Sequence, residues 1–474
     1  MSGYFGYPPG GGGGSGGGTS SAFNDLFPND GTAAGFTDGT YLRPAQVHDL
    51  DTSGNSEFNL GVNLRTYSNG GSKEVGNQSN PLIVDLPSKY SGFYSTISPN
   101  LFTELDLHNS YQIDSNIYST RTLSGGVVSY DISTGSINLT TNTTSGSLSE
   151  LRTNQYYKLQ FGKTLIIRQG LQFQSSGTNN SCQYGLFDDN YGSYFSLKNS
   201  LLHVGFLDTM STGLTNEISS INFNYDKLDG SGPSLQILDV TKYNLYEIRV
   251  SWHGILVLEF YVNGFLCHKI ANYNNTSKPF FQIDKLPVSI KLLNSSTSTS
   301  SSVFYNSSSI LIENGSNNYK YSFCASNSSV KTISYSNEVP LLSIRSKNLI
   351  NTIENRRVII PKLLNLFTQG SRIQYRLLIN TNLTGDLFNS VDANSSAEYD
   401  TSATTFIGGT EIYKGYLSNN QDHIDLKLEN MFDLYGRNIK QNAFATSVDI
   451  LTIVVVSDAR VSTRVSSTIL WNEV

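Results

Sequence analysis

Apolar and polar residues alternate most clearly in the segment YEIRVSWHGILVLEFYVNGFLCHKI, residues 246–270. Every second residue from 246 to 252 is apolar, which places the apolar side chains on one face of an extended strand. A second alternating run follows and ends at Asn263-Gly264, a dipeptide that suits a two-residue type I′ hairpin turn. The pattern predicts three consecutive antiparallel strands, whose apolar face needs another layer to pack against.

Similar short runs recur along the chain, separated by clusters of Gly, Asn, Asp and Ser that favour turns. Residues 121–338 and 339–474 each predict an all-β unit, either a sandwich or a jelly roll, and residues 43–120 predict a shorter β segment. Only IIPKLLNLFTQG, residues 359–370, favours a helical turn or two. The expected fold class is all-β, with a jelly-roll or β-sandwich central domain and a C-terminal β-sandwich.

Residues 1–42 form a segment of low complexity that is rich in glycine and cannot bury enough apolar surface to fold alone. Large aromatic residues are scattered along it: Tyr4, Phe5, Tyr7, Phe23, Phe27 and Phe36. They favour an extended arm that lies in grooves of neighbouring subunits and becomes ordered on assembly. The alternative is a solubilising tail without a partner.

Composition and charge argue against two classes of partner. The net charge is −6, and the only short basic run is ENRRV, residues 354–358, so we expect no binding to nucleic acid. The longest apolar candidate is DILTIVVV, residues 449–456, which is far shorter than a membrane span, so we expect no membrane insertion.

The cysteines and the first residues say little about chemistry. Cys182, Cys267 and Cys324 lie far apart, which predicts neither a metal site nor a disulfide framework, and we interpret them as small buried or half-buried thiols. No Lys or Arg precedes Arg43, and glycine stands where the apolar core of a secretion signal would lie. We therefore expect no signal peptide and no cofactor.

The candidate catalytic string is ELDLH, in which Glu104, Asp106 and His108 share one face of a strand. Two carboxylates on one strand could serve as nucleophile and acid/base of a retaining glycosidase, which needs them roughly 5–5.5 Å apart. A solvated strand face explains the same pattern more simply. We therefore predict no catalytic residues, and the chain is expected not to be an enzyme.

Two further patterns resemble functional sites but have structural explanations. Asp188, Asn190 and Gly192 resemble the start of a calcium loop, but the bidentate Glu is missing and a hairpin turn is favoured. Cys267 and His268 are adjacent on a strand, so they point to opposite faces and cannot form a catalytic pair. We predict a hydrogen-bonded strand residue at His268 and no metal ligands.

Strand-and-turn strings follow one another from about residue 121 to the end of the chain: GGVVSYDI, YGLFDDNYGSYFSL, DKLDGSGPS, LYEIRVSWHG, FYVNGFLCHKI, EVPLLSIRSK, SAEYDTSATTFIGGTEIYKGY and ILWNEV. In order and spacing they resemble a poorly characterised group of virion proteins of tailed bacteriophages and large DNA viruses. The resemblance implies a structural component of the particle, in its capsid surface, fibre or tail, with a concanavalin-type lectin-like jelly roll at 121–338. It also implies a protein made in the host cytoplasm and located in the virion.

Three functions follow from these observations. The first is a viral structural protein that assembles with itself, for example as a trimer, and with other virion proteins through its N-terminal arm. The second is an attachment protein that binds host surface glycans, with Tyr191, Tyr194 and Tyr273 as possible stacking platforms. The third is a jelly-roll glycosidase or depolymerase that uses Glu104 and Asp106.

Overall fold

The computed structural model describes residues 40–42, 64–68, 71–74 and 101–474. Within the last range it omits 176–178, 296–298, 314, 316–319, 328, 419–421, 433–437, 459 and 461. Contacts divide the chain into two units, Met1–Ser88 and Lys89–Val474. In the described part, no helix has the length and apolar character needed to cross a membrane.

In the first unit, the structure describes three strands that form one antiparallel sheet in the order β1-β2-β3. These strands are β1 Thr40–Leu42, β2 Leu64–Ser68 and β3 Gly71–Glu74. Most of the predicted arm, residues 1–39, lies outside the described residues, so its extended form and its role stay predictions.

The second unit begins with a jelly roll of fifteen strands and one 3-10 turn, Ser220–Asn222. The strands are β4 Leu101–His108, β5 Tyr118–Leu123, β6 Val127–Asp131, β7 Ser136–Thr141, β8 Ser147–Lys158, β9 Thr164–Ser175, β10 Asn180–Phe187, β11 Tyr191–Lys198, β12 Leu201–Asp208, β13 Leu214–Ser219, β14 Asn244–Trp252, β15 Leu256–Val262, β16 Phe265–Asn272, β17 Lys285–Asn294 and β18 Ser301–Glu313.

These strands form two antiparallel sheets that pack face to face. The first has the order β13-β12-β11-β10-β17-β8-β5. The second has the order β16-β15-β14-β9-β18-β7-β6, and β4 pairs with the far half of β18. Strand β5 therefore forms one edge of the first sheet, and the candidate functional site described below lies along this edge.

The predicted meander is present as β14, β15 and β16, joined in part by a turn at Asn263-Gly264 with positive φ at both residues. Its apolar face lies in the core between the two sheets. Aromatic rings join the sheets there: Tyr184 of β10 lies 4.8 Å from Tyr246 of β14, and Phe195 of β11 lies 5.2 Å from Phe260 of β15, between ring centroids. Burial of such large side chains stabilises the sandwich by roughly 1.5–3 kcal/mol each.

The remainder of the second unit is a C-terminal β-sandwich. Its strands are β19 Tyr321–Ser326, β20 Lys331–Ile333, β21 Val339–Ser346, β22 Leu349–Ile350, β23 Ile353–Glu354, β24 Ile359–Gln369, β25 Ile373–Ile379, β26 Asn382–Thr384, β27 Asn389–Ser390, β28 Ala397–Asp400, β29 Thr405–Ile407, β30 Thr410–Leu417, β31 Asp422–Lys427, β32 Ile450–Ser457 and β33 Thr463–Glu473.

Two sheets enclose the core of this sandwich. One has the order β19-β33-β24-β31, with β20 also paired to β33, and the other has the order β27-β28-β21-β32-β25-β30. Trp471 is fully buried between them, together with Ile453 and Leu364. Two hairpins, β22-β23 and β26-β29, complete it. The all-β fold class predicted from the sequence is confirmed.

The helical turn predicted at residues 359–370 is wrong, because this segment is strand β24. Strand β24 lies between β31 and β33 in the sheet. Leu364 and Leu366 point to the same face and are buried, while Phe367 points to the opposite face and is partly exposed, which is the alternation of a strand. A short apolar run does not distinguish a buried strand from a helix. Pairing with strands distant in sequence decides the conformation here.

The sheets do not follow the boundaries proposed at 120/121 and 338/339. Strand β4 pairs with β18 and β5 pairs with β8, so both belong to the jelly roll although they precede residue 121 or straddle it. Strands β19 and β20 pair with β33, so they belong to the C-terminal sandwich although they precede residue 339. The sequence of such an edge strand does not show which sheet the strand joins, because its pairing partner is distant in the chain.

Polar contacts join the two sandwiches along a surface that we call the seam. The hydroxyl of Tyr156, on the jelly roll, lies 3.1 Å from both Glu354 Oε1 and the backbone oxygen of Ala443. The backbone N–H of Ala443 donates to Asn154 Oδ1 at 3.2 Å. These contacts fix the loop around Ala443 against strand β8.

Arg356 forms the second part of the seam. Its guanidinium forms an ion pair with Asp188 and donates through Nη1 to the backbone oxygen of Lys285 at 2.6 Å. The same guanidinium lies 4.9 Å from the ring centroid of Tyr156. Because Asp188 is buried and Arg356 is nearly so, removing either would leave an unpaired charge inside the protein.

Lys285 completes the seam and is nearly fully buried. Its Nζ donates to the backbone oxygen of Val474 at 2.6 Å. Burial lowers the pKa of Lys285 to about 8, although the negative charge of Asp284 acts in the opposite direction. The folded protein therefore binds this proton less tightly than the unfolded chain does.

Lys285→Met is expected to change the pH dependence of stability. Because the pKa is near 8 in the folded state and about 10.4 in an unfolded chain, the unfolded state binds more protons between these values. The free energy of unfolding of the natural protein should thus rise by about 2 kcal/mol more than that of the variant as the pH increases from about 8 to about 10. Urea unfolding of both proteins across this range measures the difference, and parallel curves would contradict it.

Candidate functional site

A cleft of about 760 Å³ opens between strand β5 of the jelly roll and the C-terminal sandwich. Among the described residues, its lining consists mainly of neutral polar side chains, six with amides and six with aliphatic hydroxyls. The amides are Asn116, Asn154, Asn380, Asn438, Gln441 and Asn442. The hydroxyls are Ser115, Ser119, Thr120, Thr410, Thr446 and Ser447. A volume of this size is typical of small-molecule sites.

The jelly-roll wall of the cleft is held by Asn154 of β8. Its Nδ2 donates to the backbone oxygen of Ser115 at 2.9 Å, and its Oδ1 accepts from the hydroxyl of Ser119 at 2.5 Å. The same Oδ1 takes the backbone N–H of Ala443 from the opposite wall. One amide therefore fixes both walls relative to each other.

The opposite wall is the loop from Asn438 to Asp449, closed by a β-bridge between Gln441 and Val448. Gln441 Nε2 donates to the backbone oxygens of Lys347 and Asn348 at 2.7 Å each, and the side chain is almost fully buried. Asn442 Oδ1 accepts the backbone N–H of Thr446 at 2.8 Å. These bonds hold the loop in one conformation.

Lys440 and Asp449 are two titratable groups that line the cleft on the side of the C-terminal sandwich. Burial lowers the pKa of Lys440, although the charges of Asp449 and Asp114 act in the opposite direction. Burial raises the pKa of Asp449, although a hydrogen bond from Asn380, at 3.0 Å, and the charge of Lys440 oppose it. Perturbed groups of this kind are common in functional sites and also occur in structural ion pairs.

Charged residues at one end of the cleft form a closed network. Arg121 Nε donates to Glu150 at 2.7 Å, and Arg152 Nε donates to the other oxygen of the same carboxylate at 2.7 Å. Both guanidinium groups also bind Asp189, and both lie about 4.8–4.9 Å from the ring of Phe444. Burial alone would raise the pKa of Asp189, but its bonds to Arg121 and the charge of Arg152 lower it to about 2.

The candidate carboxylates Glu104 and Asp106 line a smaller pocket of about 300 Å³. This pocket shares Asn116 and Lys440 with the cleft. Glu104 is half-buried and Asp106 is exposed on β4. Within the described part of the chain, no hydrogen bond or ion pair orients either carboxylate, whereas catalytic groups need to be positioned.

The tyrosines proposed as glycan platforms differ in exposure. Tyr191 and Tyr194 are buried, at 6% and 5% exposure, and their rings pack on Phe281 and Phe187. A stacking platform needs an exposed ring face, which neither of them offers. Tyr273 is 43% exposed, so its contact with a glycan stays a prediction, although it does not line the cleft.

The structural explanations of the two other patterns are confirmed. Asp188 lies in the hairpin turn between β10 and β11, where its Oδ1 accepts the backbone N–H groups of Asn190 and Tyr191 at 2.7 and 2.8 Å. His268 is buried, and its Nδ1 accepts the backbone N–H of Asn224 at 3.1 Å.

No group of three or more potential metal ligands is present among the described residues.

Sequence reasoning did not find most of the cleft. Its C-terminal wall consists of Asn380, Thr410 and the loop from Asn438 to Asp449, which are distant from β5 in sequence. The loop carries no motif, and each of its polar residues would also suit an ordinary surface turn. Only the packing of the two sandwiches brings these groups together.

No protein-family model matches the chain, and no curated protein sequence matches it. Among solved structures it is similar to the Emp47p carbohydrate recognition domain, with 13% identity and a TM-score of 0.29, over 46% of this chain and 97% of that one. It is also similar to an endo-β-1,4-glucuronan lyase from the fungus Trichoderma reesei, with 12% identity and a TM-score of 0.28, over 44% of this chain and 95% of that one. A third similar structure is the binding domain of botulinum neurotoxin serotype D/C, with 15% identity and a TM-score of 0.29, over 44% of this chain and 48% of that one.

These three structures differ from one another in function, as a carbohydrate recognition domain, a lyase and a toxin binding domain. At such identities and TM-scores they carry no argument about the function of this chain, and they do not decide whether it is an enzyme. Nothing in them links it to a virus particle, so the virion assignment stays a prediction.

Glu104→Gln tests the glycosidase hypothesis. Because neither Glu104 nor Asp106 is oriented by a described neighbour, we expect the natural protein to release no reducing ends from a panel of polysaccharides. The variant should behave in the same way and keep the same midpoint of thermal unfolding. Cleavage by the natural protein that is lost in the variant would contradict this expectation.

Proposed function

We propose that this protein is a non-catalytic glycan-binding protein and that the cleft between β5 and the C-terminal sandwich is its binding site. The observation that carries the proposal is the lining, in which amides and hydroxyls outnumber charged groups. Sugar hydroxyls both donate and accept hydrogen bonds, and amide and hydroxyl side chains do the same.

The fixed geometry of the cleft supports this proposal. Asn154, Gln441 and Asn442 are each held by hydrogen bonds to the protein. These bonds fix the two walls, and the hydroxyl of Ser447, which is exposed in the lining, can donate to a ligand or accept from it. A preorganised site loses little conformational entropy on binding, which favours affinity for a hydroxyl-rich ligand.

We further propose that the protein is a structural component of a virus particle, in the capsid surface, a fibre or the tail, and that it displays the cleft toward host glycans. This part rests on the sequence resemblance that begins near residue 121. It includes synthesis in the host cytoplasm and location in the virion. It also includes homo-oligomerisation, for example as a trimer, through the aromatic arm.

Ser447→Trp is expected to weaken glycan binding by filling part of the cleft, because Ser447 is exposed at its lining. The natural protein should bind glycans on an immobilised panel, and the variant should bind at least about tenfold more weakly, a loss of roughly 1.4 kcal/mol. Biolayer interferometry with the glycans found on the panel measures this difference.

Ser329→Trp is the matched control, since Ser329 is also exposed but does not line the cleft. It should bind as the natural protein does, and both variants should keep the natural far-UV circular dichroism. Equal binding by all three proteins would place the glycan elsewhere, and Tyr273 would then be the next residue to replace.

Replacing the arm aromatics by serine tests the assembly proposal. The change covers Tyr4, Phe5, Tyr7, Phe23, Phe27 and Phe36 in the full chain. If the arm joins subunits by burying these rings, the natural protein should be an oligomer and the variant a monomer. Light scattering coupled to size-exclusion chromatography measures both masses, and equal masses would contradict the proposal.

A further inference from the structure

We infer that the cleft selects neutral, hydroxyl-rich oligosaccharides and discriminates against acidic or sulfated ones. This inference rests on the proposed function, because it names the ligand class of the same cleft. It depends on how each charged group of the lining is compensated, on the hydrogen-bonding groups that remain, and on the acidic residues nearby.

The two guanidinium groups at one end of the cleft are already paired with protein carboxylates, and Lys291 also lies 3.8 Å from one of these carboxylates, Asp189. Arg121 binds both Glu150 and Asp189, and Arg152 binds the same two carboxylates. Glu150 and Arg152 are buried, so this network cannot rearrange toward a ligand without leaving an unpaired charge. An anionic sugar would have to compete with these carboxylates for the guanidinium groups.

Lys440 is the second cation among the described lining residues, and acidic residues line both the cleft and the smaller pocket beside it. Asp449 and Asp114 both act on it electrostatically. The pocket that it shares with the cleft also contains Glu104 and Asp106. These acidic side chains disfavour an anionic ligand near Lys440, while the N–H groups of Lys440 can still donate to neutral oxygens.

Exposed hydroxyl groups of the lining provide further hydrogen-bonding partners for a ligand. Thr120 projects from β5 into the cleft, and Thr410 lies across from it on the C-terminal sandwich. Hydroxyl groups pair readily with sugar hydroxyls, whereas recognition of a carboxylate or sulfate usually relies on charge-assisted bonds from uncommitted Arg or Lys. The lining therefore matches a neutral polyol better than an anion.

The experiment compares two panels of oligosaccharides on the full chain, using isothermal titration calorimetry. One panel contains neutral galactose-, mannose- and glucose-based oligosaccharides, and the other contains uronate-bearing and sulfated ones. We expect binding to members of the neutral panel only, with an affinity that does not change between low and high salt, because no net ion pair forms.

A pair of variants on strand β5 provides the matched control. Thr120→Val removes a hydroxyl that lines the cleft, and we expect roughly three- to tenfold weaker binding of the neutral ligand. Thr122→Val makes the same change two residues further along the strand, where the side chain is exposed but does not line the cleft, and binding should not change.

Lys440→Met provides a second readout that keeps the side-chain length. Loss of the ammonium donors should weaken neutral binding without making acidic oligosaccharides bind, and Lys227→Met, at an exposed loop position, is its control. If Lys440→Met disturbs the fold, the pair at Thr120 and Thr122 still decides the outcome.

The possible results separate the two proposals. Salt-sensitive binding of acidic or sulfated oligosaccharides, without binding of neutral ones, would overturn this inference and leave glycan binding intact. Absence of binding to both panels would overturn the proposed function and this inference together. Equal affinity of the Thr120→Val and Thr122→Val variants would overturn the role assigned to the β5 wall.

Discussion

The seam between the two β-sandwiches is the constraint on which the candidate site depends. Arg356 reaches from the C-terminal sandwich to Asp188 and to the backbone of Lys285, and Tyr156 reaches in the opposite direction to Ala443. Ala443 begins the turn of the loop that forms the second wall of the cleft. The cleft therefore exists because polar contacts fix one sandwich against the other, and each sandwich alone carries only part of the lining.

The fold could be predicted from the sequence to a large extent, because alternation with a period of two is a local property. The meander at residues 246–270 shows this, since its apolar face and its Asn263-Gly264 turn follow from neighbouring residues alone. Strand β24 shows the limit, because its apolar run suited a helix until β31 and β33 paired with it. The sheet membership of β4 and β19 was hidden for the same reason.

The site could be predicted far less well. Tyr191 and Tyr194 were chosen because aromatic residues near turns suit glycan stacking, yet in a sandwich the same rings serve the core, and both are buried. Lys440 and Asp449 gave no signal, because their pKa values are shifted by burial in the assembled cleft and not by any motif. Function at an interface between domains depends on packing, which a one-dimensional pattern does not contain.

A crystal structure of the full chain with a bound neutral oligosaccharide would test the central claim most directly. The account predicts sugar density in the cleft, with hydroxyl groups of the ligand within hydrogen-bonding distance of Thr120 and Lys440. Density confined to another surface, such as the exposed ring of Tyr273, with an empty cleft at saturating ligand, would contradict it.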